Sequence, residues 1–507
     1  MEPSGGAGAG EVATKRAKPS SDDPGGGEDR LSALPDDVLV LILLRLSTPA
    51  AARTTVLSRR WRRAWALIPE LCFFGAPDPH RIGGVLEAHG AALRHLFVGT
   101  RGAAPDSVAA WLPAAARRVS GRLFFNNFEV RSGAEEEDGD DEEETAERGA
   151  FELPCLESAT SASLHLGFLG LAVTPAGVFA RLTELSLARV RLHGPGDLGD
   201  AVSSPRCPCL QKLTIRDARG VGNLAIRSDS LQQVELHDLR GLQQLTIAAP
   251  SLEALEVTNC FYSDQNQPVV SMSAPQLVTL VWMDLYDPST VQLGEMEHLQ
   301  MFSPFFYLVY GLEDSTHNHS CLSLLGRFKV IESLILPLAY MSNIDNYQYL
   351  MENMTMLPDI TFLRLIVLAN GHAFGASVFH ALRMCSGIRR LILALPAPTA
   401  EEAQTTCPPG CICGEQHIWE TEQLLLNRLQ EVEITQLRGS EHEVAFVKQL
   451  FKWATALGKM TVSFDYSVTE SMVKELCLVL RSFSRPEICM EFYMYHDMIR
   501  VLYAPQD

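Results

Sequence analysis

The feature that most constrains this chain is a short pattern, apolar-x-x-apolar-x-apolar, which recurs from about residue 151 onward. In its most regular stretch the copies begin at Leu210, Leu231 and Leu252, so each step is 21 residues. A period of this length indicates a fold assembled from stacked repeats rather than around one compact core. The copies are Leu182/Leu185/Leu187, Leu210/Leu213/Ile215, Leu231/Val234/Leu236, Leu252/Leu255/Val257, Leu277/Leu280/Trp282, Ile331/Leu334/Leu336, Ile360/Leu363/Leu365, Ile388/Leu391/Leu393 and Leu429/Val432/Ile434.

A second series of the same pattern lies half a period out of phase with the first. Alternate side chains of a short strand point to one side, so each repeat offers an apolar edge that only its neighbour can cover. The spacing is typical of leucine-rich repeats and predicts an α/β solenoid over residues 151–440, with strands on both walls. A helix is predicted from Gly375 to Ser386, ended by Gly387. The second series is Val221/Leu224/Ile226 and Leu242/Leu245/Ile247.

The segments on either side of the repeats are less regular. Residues 441–507 are predicted to form an α+β cap of helix, strand, helix and strand, because terminal repeats must cover an exposed edge. Ser440 and Glu443 have the spacing of a capping box at the start of the first of these helices. The remaining predictions are a helix end at Gly458, a strand from Met460 to Phe464, a helix near 470–483, a strand near 487–493, and connecting or first solenoid elements at 73–130 with strands near 123–125 and 128–130.

Charge and composition point to an intracellular protein. The formal net charge is -19, and ten of the acids lie between Glu135 and Glu147, so residues 131–150 are predicted to be an acidic disordered loop. The Gly-rich residues 1–28 are predicted to be a disordered tail without the apolar centre of a signal peptide. The longest apolar run, Val38 to Leu44, is too short to span a membrane, and the twelve cysteines are scattered. We therefore expect no membrane or nucleic-acid partner and a nuclear or cytoplasmic location.

Residues 29–72 are predicted to form a small helical block. Pro35 suits the first turn of a helix that continues from Val38 to Leu46 and is apolar on nearly every side. Thr48 with Pro49 predicts the start of a second helix, and Ser58 that of a third. A block of about 45 residues cannot bury every face of such a helix, so we expect exposed apolar surface that binds another protein.

This block resembles the plant F-box motif, as judged from residues 29–39 (DRLSALPDDVL) and 51–65 (AARTTVLSRRWRRAW). Residues 429–464 are similar to the C-terminal FBD region often found in plant F-box repeat proteins. The resemblance implies a three-helix F-box that docks on the Skp adaptor of a cullin–RING ligase, while the leucine-rich repeats hold a target protein. By the same analogy Trp65 belongs to the core, and the residues that would contact the adaptor or support the contact are Leu34, Pro35, Leu39, Ile42, Leu46, Val56, Leu57 and Trp61.

The function implied by the resemblance is that of a non-catalytic substrate receptor in an SCF-type ubiquitin ligase. The chain has no P-loop, no G-x-S-x-G and no dinucleotide fingerprint, so we expect no enzyme activity and no cofactor. Two alternatives remain open. One is a repeat scaffold that binds partners without a ligase, and the other is a co-receptor whose repeats sense a small molecule.

One cluster has the chemistry of metal ligands. Cys407, Cys411, Cys413 and His417 lie within eleven residues, whereas zinc requires four ligands in a closed tetrahedron and the usual second half of a zinc ribbon is missing. We therefore interpret the cluster as a Pro-Pro-Gly turn carrying free thiols, with no metal. The Cys207-Pro208-Cys209 pair is interpreted as a loop, and Arg59, Arg60, Arg62 and Arg63 as a solvated helix face.

Overall fold

The computed structural model describes residues 34–75, 78–128, 149–173, 177–194, 197–261, 268–396, 411–414, 418–496 and 499–503. The predicted tail at 1–28 and nearly all of the predicted acidic loop at 131–150 lie outside these residues. The chain divides into two units, Met1–Ile68 and Pro69–Asp507. The architecture is mixed α/β and consists mostly of strands. Among the described helices, none has the length and apolar composition needed to cross a membrane.

The first unit is helical. Ser58 begins its third helix, because the Ser58 hydroxyl accepts a hydrogen bond from the backbone N–H of Trp61 at 3.3 Å. Two boundaries differ from the sequence prediction: the first helix ends at Leu43 rather than Leu46, and Ser47 rather than Thr48 precedes the second. The helices are α1 Asp36–Leu43, α2 Thr48–Arg53 and α3 Arg59–Trp65, with a 3-10 turn at Thr54–Val56 between α2 and α3.

The early end of α1 has a local cause. Arg45 and Leu46 donate their N–H groups to the carbonyls of Ile42 and Leu43, at 3.1 and 3.0 Å, so the chain tightens into three-residue turns. The small core below these helices is apolar. Its buried members are Leu39, Leu43, Ala51, Ala64 and Ile68, and Leu34, Val40, Ile42, Trp61 and Trp65 pack around them.

The second unit is built from short strands. They are β1 Glu70–Phe73, β2 Leu93–Arg101, β3 Val119–Phe128, β4 Ala150–Leu153, β5 Ser161–Val173, β6 Glu184–His193, β7 Lys212–Arg219, β8 Asn223–Arg227, β9 Gln233–Arg240, β10 Gln244–Ala248, β11 Ala254–Thr258, β12 Val269–Ser273, β13 Thr279–Met283, β14 Val291–Gln292, β15 Met301–Ser303, β16 Tyr307–Leu308, β17 Tyr310–Gly311, β18 Ser333–Ala339, β19 Gln348–Tyr349, β20 Phe362–Leu368, β21 Arg390–Ala394, β22 Glu431–Leu437, β23 Lys459–Phe464, β24 Cys489–His496 and β25 Ile499–Leu502.

Helices and two further 3-10 turns connect some of these strands. The helices are α4 Pro79–Ala88, α5 Pro105–Ala109, α6 Leu112–Arg118, α7 Leu198–Val202, α8 Thr316–Leu325, α9 Gly375–Arg383, α10 Ile418–Thr421, α11 Glu441–Trp453 and α12 Glu470–Phe483. The 3-10 turns are Met351–Asn353 and Ile412–Gly414.

The main sheet is a parallel ladder in which each repeat places its strand beside that of the previous one. The register keeps equivalent apolar residues together, as predicted from the repeat spacing. One row of aligned and buried residues is Leu185, Leu213, Val234, Leu255 and Leu280, and the next is Leu187, Ile215, Leu236, Val257 and Trp282. Aligned apolar rows of this kind give the repeats a continuous core.

A second parallel sheet contains the out-of-phase series. Strands β8 and β10 carry the two predicted copies, and β12 and β14 extend the sheet beyond them. Leu224, Leu245, Val270 and Val291 form one of its buried rows. The extension was not predicted, since residues 269–273 and 291–292 lack the full three-position pattern.

A left-handed residue recurs in or directly after strands of the main sheet. Arg189, Asp217 and Asp238 lie within β6, β7 and β9, and Asn259 directly follows β11. All four have φ between 50° and 52°, and each is followed by a buried residue. Asp and Asn tolerate this conformation better than most residues. Asp217, Asp238 and Asn259 follow one another at steps of 21 residues, so they occupy the same position in successive repeats. Strand pairing resumes directly after this residue in β6, β7 and β9, where Val190, Ala218 and Leu239 are aligned.

The C-terminal elements match their prediction with shifted ends. The capping box is confirmed: Glu443 Oε2 accepts the N–H of Ser440 at 3.0 Å and that of Gly439 at 2.7 Å. Helix α12 has the predicted limits, but α11 ends at Trp453, well before Gly458. Strand β25 was not predicted, and it pairs antiparallel with β24 at the end of the ladder.

Two further corrections concern residues 73–130 and helix α9. Helices α4 to α6 were not predicted, and the two suggested strands are one strand, β3, whose last described residue is Phe128. Helix α9 ends at Arg383 rather than Ser386, and Gly387 does not take the left-handed conformation. Its last turn closes through Met384 and Cys385, whose N–H groups bond to carbonyls three residues back.

Candidate functional site

Apolar side chains lie exposed on the helical unit. Val56 and Leu57, in the 3-10 turn and just after it, are 82% and 66% exposed, and Leu46 is 42% exposed. Pro35, which precedes α1, is exposed as well. Large apolar groups this open to water are unfavourable, so they mark a candidate interaction surface.

The structure separates the eight residues selected from the sequence by their burial. Leu39 is 1% exposed and belongs to the core, so it supports the surface from below. Leu34, Ile42 and Trp61 are half-buried and pack against the core. The exposed members are Pro35, Leu46, Val56 and Leu57.

Sequence reasoning did not assign three other exposed large apolar residues of this unit. Leu41 is 61% exposed and Leu44 is 36% exposed, on and directly after α1. Leu67, which follows α3, is 53% exposed and is not counted in the surface defined below. The sequence did indicate further exposed apolar residues here, because α1 is apolar on nearly every side. We define the docking surface as Pro35, Leu41, Leu44, Leu46, Val56 and Leu57.

Hydrogen bonds hold the turn that carries Val56 and Leu57. The hydroxyls of Thr54 and Thr55 donate to the carbonyls of Ala51 and Ala52, each at 2.7 Å. Leu57 N–H donates to the carbonyl of Thr54 at 3.0 Å. These bonds satisfy carbonyls at the end of α2 and fix the backbone from which the two apolar side chains project.

The start of α1 is tied to α3. Arg60 Nε donates to Asp36 Oδ1 at 2.8 Å, and Arg60 Nη2 donates to the carbonyl of Leu34. Arg59, Arg62 and Arg63 are exposed, as the solvated-face interpretation predicted, but that interpretation is wrong for Arg60, which is half-buried and paired.

A row of aromatic rings crosses the first strands of the main sheet on the outward face. The rings of His95, Phe97, Phe124 and His165 follow one another at centroid distances of 6.3, 6.1 and 5.8 Å, and all are half-buried. Burial lowers the pKa of His165, and the nearby guanidinium of Arg216 lowers it further. The imidazole of His165 is therefore uncharged at neutral pH and lies near the positive charge of Arg216.

The next strands present a charged network. Glu235 accepts hydrogen bonds from Lys212 Nζ at 2.7 Å, Arg216 Nη2 at 2.9 Å and Gln233 Nε2 at 2.8 Å. Burial alone raises the pKa of Glu235, but the hydrogen bonds and charges of Lys212 and Arg216 outweigh it and leave that pKa lowered. The carboxylate is thus held ionised.

A buried carboxyl group lies two strands further along the main sheet, directly after β13. Asp284 is 4% exposed, and its two oxygens accept the N–H groups of Cys260 at 2.8 Å and Phe261 at 3.1 Å. Burial raises the pKa of Asp284 to about 6, although the two hydrogen bonds act in the opposite direction. Asp284 therefore links neighbouring repeats through a group that titrates in mildly acidic conditions.

The structure brings two of the four clustered metal-ligand candidates next to a histidine that sequence reasoning missed. Cys411 and Cys413 lie beside His372, and all three are buried. Cys407 and His417 lie outside the described residues. Cys207 donates its S–H to the Ala201 carbonyl at 3.1 Å, in keeping with a loop thiol. No spacing rule could have found His372, because it lies 39 residues before Cys411.

Comparison with known proteins gives two sequence-family matches. Residues 31–71 match the F-box domain, and residues 144–299 match the LRR repeats of FBD-associated F-box protein At5g56370. The first match contains the docking surface, and the second contains the aligned apolar rows.

Individual relatives agree with these matches. The chain is 25% identical over 477 residues to the putative F-box/FBD/LRR-repeat protein At4g03220 of Arabidopsis thaliana, covering 88% of this chain and 91% of that protein. It is 59% identical over 44 residues to the putative F-box/FBD/LRR-repeat protein At3g49480 of the same plant, covering 9% of this chain and 10% of that protein. It is 33% identical over 112 residues to the putative F-box/LRR-repeat protein At4g15060, covering 20% and 26%. The resemblance inferred from the sequence is confirmed.

Proposed function

We propose that this F-box/LRR-repeat protein is the substrate-recognition subunit of an SCF-type ubiquitin ligase. F-box domains generally bind Skp1-type adaptors, and F-box proteins are commonly receptors of this kind. The observation that carries the proposal is the exposure of Val56 and Leu57, at 82% and 66%, on a turn fixed by hydrogen bonds.

The docking surface supplies enough apolar area to matter for binding. Burying a side chain the size of Val or Leu contributes about 1.5 to 3 kcal/mol. Part of that gain offsets the loss of translational and rotational freedom on association. In protein interfaces, a few well-buried anchor residues usually dominate the affinity. Val56 and Leu57 fit the role of central anchors because they are the most exposed members of the surface.

The buried and half-buried residues would act by positioning the anchors. Leu39 in the core, with Leu34, Ile42 and Trp61 packed around it, fixes α1 against α3 in what we infer to be a three-helix F-box. The bonds from Arg60 to Asp36 and to the Leu34 carbonyl restrain the residues before α1. A surface ordered before binding loses less entropy when the adaptor docks.

The repeats would bind the target protein. We infer that the two parallel sheets are walls of a leucine-rich-repeat solenoid, because aligned apolar rows are buried along each. The outward row of His95, Phe97, Phe124 and His165 suits a protein target, since half-buried aromatic rings are frequent anchors in protein interfaces.

In this mechanism the chain performs no chemistry of its own. Its contribution is proximity: one unit is held by the adaptor and the repeats hold the target, which raises the effective concentration of target lysines near the loaded enzyme. We also propose a nuclear or cytoplasmic location, where the described cysteines, which form no disulfides with one another, would stay reduced.

The test is affinity purification of the full chain from plant cells with the proteasome inhibited. We expect the wild type to recover a Skp-type adaptor, a cullin and ubiquitinated client proteins. Leu57→Asp should lose the adaptor and the cullin but keep the clients, because it places a charge in the docking surface and leaves the repeats intact.

The matched control is Leu312→Asp, since Leu312 is 70% exposed but belongs to the second unit. It should recover the adaptor as well as the wild type does. If the wild type binds clients but never an adaptor or a cullin, the ligase proposal is wrong and the chain is a binding scaffold.

A further inference from the structure

Three buried side chains with metal-binding atoms meet in the second unit. The donor atoms of His372, Cys411 and Cys413 all lie within 4.8 Å of one another, and the three residues are 1%, 6% and 6% exposed. His372 lies in the turn after β20, whereas the two cysteines lie in the segment between β21 and β22. The fold therefore assembles the group from residues far apart in sequence.

The imidazole of His372 is held in the orientation that a metal ligand needs. Its Nε2 lies 3.4 Å from the carbonyl oxygen of Ser342, which can only accept, so this contact favours the tautomer with the proton on Nε2. That tautomer leaves the lone pair of Nδ1 facing the sulfur of Cys411 at 3.5 Å. The ring of Tyr340 stacks on the imidazole, with centroids 6.0 Å apart and planes at 17°. A carbonyl that fixes the far nitrogen is the usual support of a metal-bound histidine.

The distance between Cys411 Sγ and His372 Nδ1 fits a tetrahedral zinc ion. Zn–S bonds of about 2.3 Å and Zn–N bonds of about 2.0 Å place the two donor atoms about 3.5 Å apart. This is the separation of Cys411 Sγ and His372 Nδ1. The same separation also suits a weak S–H···N hydrogen bond between Cys411 and His372. Experiment must therefore distinguish the zinc-bound site from the metal-free, hydrogen-bonded one.

We propose that His372, Cys411 and Cys413 bind one Zn²⁺ ion, as a structural site that ties residues 411–414 to the turn after β20. Binding releases the protons of the two thiols, so two thiolates balance the two positive charges and the buried site is neutral. Zinc takes four ligands, and a water molecule or a further side chain completes the set. The proposal does not depend on ligase activity.

This inference reverses the interpretation drawn from the sequence. The short spacing of the cysteine cluster argued for free thiols, because it offered no second half of a zinc ribbon. The structure supplies a ligand from a different repeat. Zinc with one imidazole and two thiolates is a common combination in proteins.

The first test measures zinc in the purified full chain by elemental mass spectrometry after dialysis against zinc-free buffer. We expect one zinc ion per chain in the wild type and in Cys321→Ser, a control cysteine that is 1% exposed in α8. His372→Ala and Cys411→Ser should lower the zinc content at least about tenfold. Unchanged zinc in His372→Ala would overturn the assignment of these ligands.

The second test needs no variant, so it remains valid if a substitution prevents folding. Cobalt is exchanged for zinc in the wild-type chain, and the visible spectrum is recorded. We expect the intense bands of tetrahedral Co²⁺ with thiolate charge-transfer absorption, and one metal ion per chain. A chain that takes up neither metal in stoichiometric amount contradicts the proposal.

Discussion

Arg60 and Asp36 form an ion pair between the first and third helices of the helical unit, with Arg60 Nε 2.8 Å from Asp36 Oδ1. The same guanidinium also donates to the carbonyl of Leu34, two residues before Asp36. A single side chain thus anchors the segment that leads into α1, where Pro35 joins the docking surface. The position of the docking surface therefore depends on a polar contact as well as on the apolar core.

The first prediction concerns Arg60→Ala. Partly exposed ion pairs contribute about 0–1 kcal/mol, and loss of the bond to the Leu34 carbonyl adds a similar amount. We expect a small loss of stability and a severalfold weaker affinity for the adaptor, measured by denaturant unfolding and by titration. Arg62→Ala is the control, because Arg62 is an exposed residue of the same helix. Equal effects of the two substitutions would show that Arg60 does not position the surface.

The second prediction concerns acid stability and Glu235. The pKa of Glu235 is lowered below its ordinary value of 4.5, so its contribution is complete above that value and is lost as the pH falls through the folded-state pKa. We expect the wild type to lose melting temperature below about pH 4.5, and Glu235→Gln to lose less over the same range. Glu256→Gln, in the aligned position of the next strand, should behave like the wild type.

The third prediction concerns Asp284, where the sign is opposite. Its pKa is raised from 3.8 to about 6, so the native state binds this proton more tightly than the unfolded state does. The resulting stability is complete below pH 3.8 and is lost as the pH rises through about 6. Asp284→Asn should remove this pH dependence.

The same substitution should lower stability by about 1–3 kcal/mol below pH 3.8, because one of the two backbone N–H groups loses its acceptor. The difference from the wild type should shrink as the pH rises through about 6. The measurement is the midpoint of urea unfolding from below pH 3.8 to above about pH 6. The exposed Asp229→Asn serves as the control and should keep the wild-type profile. An unchanged profile in Asp284→Asn would assign the pH dependence to other groups.

The fourth prediction concerns close packing at the start of α9. A Cβ atom on Gly375 would lie 2.3 Å from the ring of Trp419, which is 7% exposed and packs against Phe446 and Trp453. We expect Gly375→Ala to destabilise the second unit by about 1–3 kcal/mol in denaturant unfolding. Gly84→Ala in α4 has open space around its Cβ and should be neutral or stabilising by up to about 1 kcal/mol.

The sequence predicted the features that depend on local periodicity. The aligned rows through Leu213 and Ile215 follow from the repeat spacing, and the capping box of Ser440 and Glu443 follows from a four-residue signature. Helix ends were predicted less well. Arg383 and Trp453 end their helices without a left-handed glycine, because short turns and packing terminate them instead.

Contacts between distant repeats could not be predicted. His372 contacts Cys411 because the segments that follow the neighbouring strands β20 and β21 come together, and no sequence pattern within either segment predicts this contact. The burial of Leu39 beside the exposure of Leu41 is a similar case. Both are leucines of one apolar helix, and only the packing of α3 against α1 decides which of them is covered.

A calorimetric titration of the purified full chain with a Skp-type adaptor measures the affinity of the docking surface directly. Val56→Ala combined with Leu57→Ala removes two exposed side chains and leaves the core residues unchanged. We predict an intact fold by circular dichroism and at least a tenfold rise in Kd, equivalent to about 1.4 kcal/mol. An unchanged Kd in the folded double variant would contradict the assignment of the docking surface.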